Sequence, residues 1–217
     1  MISKAFLDWN GVLLADGSAC FDTDNHMLKT FGGNLVDFKT FRDTIVIPSI
    51  DFYVMHGCNR EQLERDSKEV SKVFHAYFEK RESKCRTRKG AREVLYWLRE
   101  NSIETIIVTN HTVAGLELQL SRLKLKEYFS AVEANPDGNT SMHTTSKLEK
   151  VCRHYSRNEG ALILGDSPEE VKIGKELGIP TVAITGGYYS TKRLRQSQPD
   201  YLINNWKELI GVIKEIR

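Results

Sequence analysis

The sequence has few cysteines and none of them in a pattern that marks a disulfide or metal framework. Cys20, Cys58, Cys85 and Cys152 are scattered along 217 residues, and no two of them form a C-x-x-C pair. In a chain of this length, such spacing is more typical of reduced thiols than of a disulfide scaffold. We therefore expect a protein of the reducing cytoplasm.

An excess of charge of one sign is also missing. The chain has 31 Lys and Arg against 29 Asp and Glu, for a formal net charge of +2, and the basic residues are interspersed with acidic ones. A nucleic-acid-binding protein more often presents a one-sided basic face. Nucleic acid is therefore not expected as a partner.

Long apolar runs are absent as well. No stretch approaches membrane-spanning length, and the carboxylate of Asp8 follows Met1 too closely to leave room for a cleavable signal. We expect a soluble protein with no membrane partner. The six histidines show no metal-binding spacing, and His56-Gly57-Cys58 has no second pair at a zinc-finger distance. Zinc is therefore not expected.

Strand and helix patterns alternate over the second half of the chain, as a doubly wound α/β sheet requires. Apolar and β-branched runs predict strands at 105–108, near 132, and at 161–164, 181–184 and 201–203. Helical periodicity predicts helices at 112–123, 147–155 and 168–177, and a polar loop passes through Pro136-Asp137-Gly138. The expected fold class is α/β with a mainly parallel sheet.

Residues 15–86 interrupt this alternation. The stretch 60–82 is predicted to be one long charged amphipathic helix, and shorter helical patterns occur at about 26–31 and 37–45. We interpret 15–86 as a helical cap that folds over and closes on an α/β core formed by 1–14 and 87–217.

Two apolar strands end in carboxylates, Asp8 and Asp166. Because ligands of parallel sheets bind outside the carboxyl ends of the strands, these side chains predict an oxygen site suited to Mg²⁺ and a phosphate. Gly11 allows a sharp turn and close ligand approach. Asp8 taken alone is equally consistent with capping a turn. Glu170 completes a capping box with Ser167, so Asp166 is the better metal candidate.

Lys147 starts a helix behind the N-cap Ser146, where a cation is mildly unfavourable for the helix dipole, by about 0.3–1 kcal/mol. This placement suggests that Lys147 neutralises a phosphoryl group, although a solvated surface lysine is the simpler interpretation. Thr109 and Asn110 are predicted to end their strand at the same edge, where a hydroxyl and a backbone N–H bind phosphate oxygens.

A basic cluster marks the return from the cap to the core. It is most simply a solvated linker, and secondarily a positive rim that attracts anionic substrates. Its members are Arg81, Lys84, Arg86, Arg88, Lys89 and Arg92.

In this order, the motifs resemble the haloacid dehalogenase-like (HAD) hydrolase superfamily, and in particular its phosphoglycolate-phosphatase-like members with a helical cap. The first motif is Asp8-Trp9-Asn10-Gly11-Val12-Leu13, the second Val108-Thr109-Asn110, the third Lys147 and the fourth Gly165-Asp166-Ser167-Pro168-Glu169-Glu170. The match extends over nearly the whole chain.

The resemblance implies a phosphatase acting on small phosphorylated metabolites, with Asp8 as the nucleophile that becomes an aspartyl phosphate. It implies that Thr109, the Asn110 amide and Gly11 contact the phosphate and that Lys147 balances its charge. It further implies that Mg²⁺ binds the Asp8 and Asp166 side chains and the Asn10 backbone carbonyl, with Glu170 steadying a metal-bound water. The family more often has Asp at the position of Glu170.

Position 10 is the main departure, since the family usually has an Asp there as the general acid and base. An amide cannot exchange a proton usefully near pH 7, and such assistance contributes about 10²–10⁴-fold. Three accounts follow. The protein is a slow phosphatase, with or without a substitute such as His111; or Asn10 was introduced to trap a bound state; or the protein binds a phosphorylated ligand without turnover.

Two other chemistries are less consistent with the residues. Dehalogenation needs no metal, which would leave Asp166 and Lys147 without a purpose. Phosphonate cleavage would need a buried Schiff-base lysine in the cap, and no lysine between 15 and 86 stands out as one.

Overall fold

The computed structural model describes residues 1–136 and 147–216. Within them, six strands form one sheet with the order β3-β2-β1-β4-β5-β6, and every pair of neighbours is parallel. The strands are β1 Lys4–Leu7, β2 Glu104–Thr112, β3 Ala131–Asn135, β4 Ala161–Gly165, β5 Thr181–Ile184 and β6 Tyr201–Ile203. The predicted α/β fold class is confirmed. The predicted loop residues Asp137 and Gly138 and the predicted N-cap Ser146 lie outside the described residues.

The central strands are apolar along their whole length because helices cover both faces of the sheet. Every residue of β1 and β4 is buried. The helices of the α/β part are α6 Ala91–Glu100, α7 Val113–Arg122, α8 Lys147–Cys152, α9 Pro168–Leu177, α10 Thr191–Gln196 and α11 Glu208–Glu215. A 3₁₀ turn spans Lys126–Tyr128.

Five helices lie between β1 and α6, and no strand lies there. They are α1 Gly17–Thr30, α2 Phe38–Thr44, α3 Ser49–Met55, α4 Arg60–Arg65 and α5 Ser67–Glu82. The single helix predicted over 60–82 is wrong, because the backbone leaves helical geometry at Asp66, with φ −96° and ψ 20°. Helix α3 has no predicted counterpart, because its 7 residues are too few for helical periodicity to stand out.

The helical segment has its own apolar core, which continues into the α/β part. Phe41, Phe52 and Phe78 belong to a cluster that also includes Ala183 of β5 and Leu194 of α10. The segment therefore packs against the β5–α10 side of the sheet. Its division from the rest of the chain as a mobile cap remains a prediction. None of the described helices has the length and apolar character to cross a membrane.

Two helical glycines offer a matched test of the packing between α9 and the sheet. A Cβ at Gly174 would lie 2.2 Å from Thr181 Cγ2, whereas one at Gly211 of α11 would meet nothing within 4 Å. We expect Gly174→Ala to lower the free energy of unfolding by about 1–3 kcal/mol through overpacking. Gly211→Ala should raise it by up to about 1 kcal/mol through helix propensity. Urea unfolding measures both, and a Gly174→Ala protein as stable as Gly211→Ala would contradict this packing.

Candidate active site

Two neighbouring strands deliver their carboxylates to the same edge of the sheet. Asp8 follows β1 and Asp166 follows β4, and these strands pair in parallel with Leu7 opposite Leu164. The Asp8 N–H continues the ladder by donating to the Leu164 carbonyl at 3.0 Å. The carboxylate itself accepts the Trp9 N–H at 2.8 Å. The sheet register therefore fixes where both acids lie.

Lys147, the first residue of α8, is buried rather than solvated. Its Nζ lies 3.0 Å from Asp8 Oδ2 and donates to Glu170 Oε1. Burial opposes its charge, but the Asp8 and Glu170 carboxylates outweigh that effect and raise the pKa of Lys147 well above its usual value. Lys147 is therefore a fixed cation beside Asp8.

The carboxylates outnumber this cation. Asp8, Asp166 and Glu170 are only 6%, 2% and 2% exposed. Burial raises the pKa of Asp8 to about 7; Lys147 lowers it and Glu170 raises it further. Burial and the charges of Asp8 and Glu170 raise the pKa of Asp166 well above its ordinary value. The site therefore has more buried acidic groups than cations to pair with them.

Glu170 has partners on both oxygens. The predicted capping box is present, with Ser167 Oγ accepting from the Glu169 N–H at 3.1 Å. Glu170 Oε2 accepts from Ser167 N–H at 3.2 Å and from Ser167 Oγ–H at 2.6 Å. The start of α9 therefore holds Glu170 rigidly, and Glu170 in turn holds Lys147.

Thr109 and Asn110 lie inside β2, because the strand continues to Thr112 past the predicted end at 108. The register with β3 shifts between Val108 and Thr112, so the segment remains paired although it is irregular. Thr109 is 1% exposed, and its carbonyl accepts from Lys150 Nζ at 2.7 Å.

The turn after Asp8 is held by Asp16, which is fully buried. Its carboxylate accepts from Asn10 Nδ2 at 2.6 Å, from Gly11 N–H at 2.7 Å and from Tyr188 Oη–H at 2.7 Å. Burial raises the pKa of Asp16 to about 6, while these hydrogen bonds limit the rise. Glu82 Oε1 lies 3.4 Å from the same Asn10 nitrogen. The Asn10 amide thus lies between two carboxylates.

The Asp166 side chain packs closely against two backbone segments, and each of them requires glycine at the contact. Its Oδ2 accepts the Tyr188 N–H at 2.5 Å. A Cβ at Gly187 would lie 1.9 Å from this oxygen, and a Cβ at Gly11, whose φ is +72°, would lie 2.2 Å from it. Gly11 therefore permits the close packing of the Asp8 turn on Asp166.

These side chains surround a cavity of about 110 Å³. The predicted site residues that line it are Asp8, Asn10, Thr109, Asn110, Lys147 and Asp166. Gly11 and Glu170 lie behind this lining. Helices α1, α3 and α5 and the α2–α3 connection supply the opposite wall, with Cys20, Asp24, Ile45, Ile47, Ser49, Tyr53, Phe74, His75 and Phe78.

The family model of haloacid dehalogenase-like hydrolases matches residues 6–184. This range includes Asp8, Thr109, Asn110, Lys147 and Asp166. The chain belongs to this family.

Relatives and solved structures agree with this assignment. A pyrophosphatase from Halalkalibacterium halodurans is 21% identical over 213 residues, covering 98% of this chain and 97% of the relative. A phosphoglycolate phosphatase from Pseudomonas fluorescens is 27% identical over 56% of this chain and 45% of its own. A haloacid dehalogenase-like hydrolase from Streptococcus pneumoniae superimposes with a TM-score of 0.79 at 20% identity, covering 98% of both chains. This last likeness concerns the fold alone.

Several residues of the candidate site were not predicted from the sequence. Asp16 and Glu82 sit at the two ends of the helical segment, and Tyr188 follows β5. The pair Gly186 and Gly187, close behind β5, could have indicated the loop that holds Tyr188, since such glycines often allow close backbone approach. Asp16 and Glu82 gave none, because neither follows a strand.

None of the six members of the basic cluster lines the described cavity, so their interpretation as a positive rim stays a prediction. Arg88 is half-buried and donates to the main-chain carbonyls of Gly11 and Thr185 at 2.8 and 2.6 Å. It therefore serves to hold two loops together.

His111 lines the cavity, but both of its nitrogens face protein groups. Nδ1 accepts the Thr112 N–H at 2.8 Å, and Nε2 lies 2.8 Å from Glu82 Oε1 without a well-aligned hydrogen bond. Nδ1 is therefore occupied, whereas Nε2 is buried beside the Glu82 carboxylate.

The Asp16 network predicts a large effect on stability. Asp16→Ala would leave donors of Asn10, Gly11 and Tyr188 without their acceptor, and one unsatisfied buried donor costs about 1–3 kcal/mol. We expect a loss of at least about 2 kcal/mol in the free energy of unfolding, measured in urea. Tyr188→Phe removes a single hydrogen bond and should lose about 1 kcal/mol. Equal losses for the two variants would show that Asp16 does not hold the turn.

Proposed function

We propose that this protein is a Mg²⁺-dependent phosphatase that hydrolyses small phosphate monoesters through an aspartyl phosphate on Asp8. The observation that supports this most is the ion pair between Asp8 and Lys147, buried at 6% and 4% exposure in a wall of the cavity. A carboxylate nucleophile needs such a cation to orient it and to balance the charge of the phosphoryl group. The printed names of the relatives, pyrophosphatase and phosphoglycolate phosphatase, support phosphate chemistry.

Each of the surrounding residues has its own role in the proposed reaction. Asp8 attacks phosphorus and forms the acyl phosphate as the P–O bond to the alcohol breaks; water then cleaves the acyl phosphate. Thr109 and the Asn110 main-chain N–H bind phosphate oxygens, and Lys147 neutralises them. Gly11 contributes by keeping the Asp8 turn close to Asp166. Glu170 acts indirectly, by holding Lys147.

The acidic surroundings fit a divalent cation. No three His, Cys, Asp or Glu side chains among residues 1–136 and 147–216 form a ready-made metal cage. Mg²⁺ does not need one, because it typically binds one or two carboxylates and completes its shell with water and substrate phosphate. The Asp8 and Asp166 side chains and the Asn10 main-chain carbonyl would hold it, with Glu170 outside this set. The ion would supply positive charge where burial of Asp8 and Asp166 opposes their ionisation.

Asn10 sets the level of activity in this proposal. Its amide donates to Asp16 and approaches Glu82, and it has no proton to transfer to an alcohol leaving group. His111 has its Nδ1 occupied by the Thr112 N–H and its Nε2 buried beside Glu82, so it is a poor substitute as it lies. We therefore infer a slow phosphatase. The second candidate, a protein that binds a phosphorylated ligand without turnover, is supported by this same residue.

Metal dependence is the first test. Chelation by EDTA should abolish hydrolysis, added Mg²⁺ should restore it, and Asp166→Ala should reproduce the loss. The assay is release of inorganic phosphate from a panel of phosphorylated metabolites with Asp8→Asn as the blank. Asp37→Asn, an exposed carboxylate that caps α2, is the matched control and should retain activity. Full activity in EDTA would exclude the metal from the reaction.

The second test concerns the missing general acid. Asn10→Asp should accelerate hydrolysis of alkyl phosphates by up to about 10²–10⁴-fold, because their poor leaving groups need a proton. Aryl phosphates, whose leaving groups depart as anions, should gain less, although hydrolysis of the acyl phosphate also needs a base. The measurement is steady-state kcat/KM for both ester classes.

His111→Ala separates the alternatives in the same assay. If His111 does substitute for the acid, Asn10→Asp will be nearly neutral and His111→Ala will be the damaging change. A protein that only binds its ligand will respond to neither substitution.

A further inference from the structure

The wall that would face the leaving group has no lysine or arginine among the described residues, and its basic side chain is the imidazole of His75. Of the described residues that line the cavity, Lys147 alone is a Lys or Arg, and it is paired with Asp8 and Glu170. The segment 137–146, outside the described residues, contains neither Lys nor Arg in its sequence. A second anionic group on a substrate would therefore find no Lys or Arg partner among the described residues of this wall, where the imidazole of His75 lies 3.7 Å from Glu79 Oε1.

Two guanidinium groups bind main-chain carbonyls of residues that line the cavity. Arg42 Nη2 donates to the Tyr189 carbonyl at 2.9 Å, and Arg193 Nη1 donates to the Ile45 carbonyl. Both groups lie behind residues that line the cavity and are not themselves part of the lining. Their charge is used to join the helical segment to the loop after β5.

An acid occupies the wall instead. Asp24 of α1 lines the cavity and is 2% exposed. It accepts from Tyr53 Oη–H at 2.7 Å and from Cys20 Sγ–H at 3.3 Å, and no ion pair joins it to a cation among the described residues. Burial raises its pKa to about 6, and the hydrogen bonds from Tyr53 and Cys20 limit the rise. At neutral pH the wall therefore carries negative charge.

The rest of this wall is mainly apolar or aromatic. Ile45, Ile47, Phe74 and Phe78 line it together with Tyr53. Burying apolar surface of a ligand against this wall would be favourable, with a free energy of about 25 cal/mol per Å². A carboxylate or a phosphate would instead lose its hydration and meet Asp24.

We propose that the leaving group of the substrate carries no negative charge and donates an N–H or O–H to Asp24. This inference rests on the proposed phosphatase function and narrows its substrate class to phosphate monoesters of amino alcohols or polyols with some apolar surface. Anionic leaving groups, such as that of phosphoglycolate or pyrophosphate, are disfavoured by like charge in a buried site.

Three esters of nearly equal size test the charge preference. Phosphoglycolate, 2-hydroxyethyl phosphate and phosphoethanolamine carry a negative, a neutral and a positive group at the same position of the leaving group. We expect kcat/KM to rise in that order, by about tenfold or more between the first and the last, the equivalent of about 1.4 kcal/mol.

Asp24→Asn separates this preference from the intrinsic reactivity of the esters. It should reduce the ratio between phosphoethanolamine and phosphoglycolate by about tenfold, because it removes the charge and keeps the shape. Asp22→Asn, an exposed carboxylate on the same helix, should leave the ratio unchanged. Ser49→Lys, which places a cation in the wall, should improve phosphoglycolate relative to the other two. This variant keeps the proposal testable if Asp24→Asn does not fold.

Binding measurements distinguish the phosphatase proposal from the proposed charge preference for the leaving group. Calorimetric titration of the three esters into the Asp8→Asn protein should give affinities in the same order. If the affinities follow this order but the wild type does not hydrolyse the esters, the phosphatase proposal is overturned and the charge preference stands. A preference for phosphoglycolate, or a ratio unaffected by both Asp24→Asn and Ser49→Lys, would overturn the inference and leave the phosphatase proposal intact.

Discussion

The buried contact of Lys147 with Asp8 and Glu170 is the constraint on which the site depends. A charge in a protein interior is costly unless it is paired and hydrogen-bonded. Glu170 meets that condition through the capping box of α9, and Asp8 meets it through the Trp9 N–H. The start of α9 therefore positions a lysine from α8 against the end of β1. With Asp166 added, the acids exceed the cation, and the site retains affinity for further positive charge.

Asn10 has a structural consequence beyond the loss of a proton carrier. Its Nδ2 donates to Asp16 and approaches Glu82, which lie at the beginning and the end of the helical segment. An amide suits this position because it satisfies a buried carboxylate without adding charge, whereas an acid here would have to remain protonated beside Asp16. The residue that limits proton transfer in the proposed reaction thus also links both ends of the segment to the site.

The sequence predicted the parts of the molecule that local patterns encode. Apolar runs located the strands, and because parallel strands end at one edge, Asp8 and Asp166 were correctly expected to lie close together. Contacts between distant residues were not predictable: Tyr188 and Asp16 are 172 positions apart. The break at Asp66 and the extension of β2 to Thr112 were missed because each depends on local backbone geometry that side-chain periodicity does not report.

In the proposed function, chemistry and substrate choice are carried by different parts of the chain. The residues proposed to bind the phosphate lie at strand ends and helix starts, where the sheet fixes their positions. The opposite wall comes from α1, α3 and α5 and the connection before α3, where a side chain such as Asp24 or Ser49 can change without disturbing the sheet. Among the described residues, Asp24 makes no hydrogen bond or ion pair with Asp8 or Lys147, so we expect the name of a relative to be a better guide to the reaction than to its leaving group.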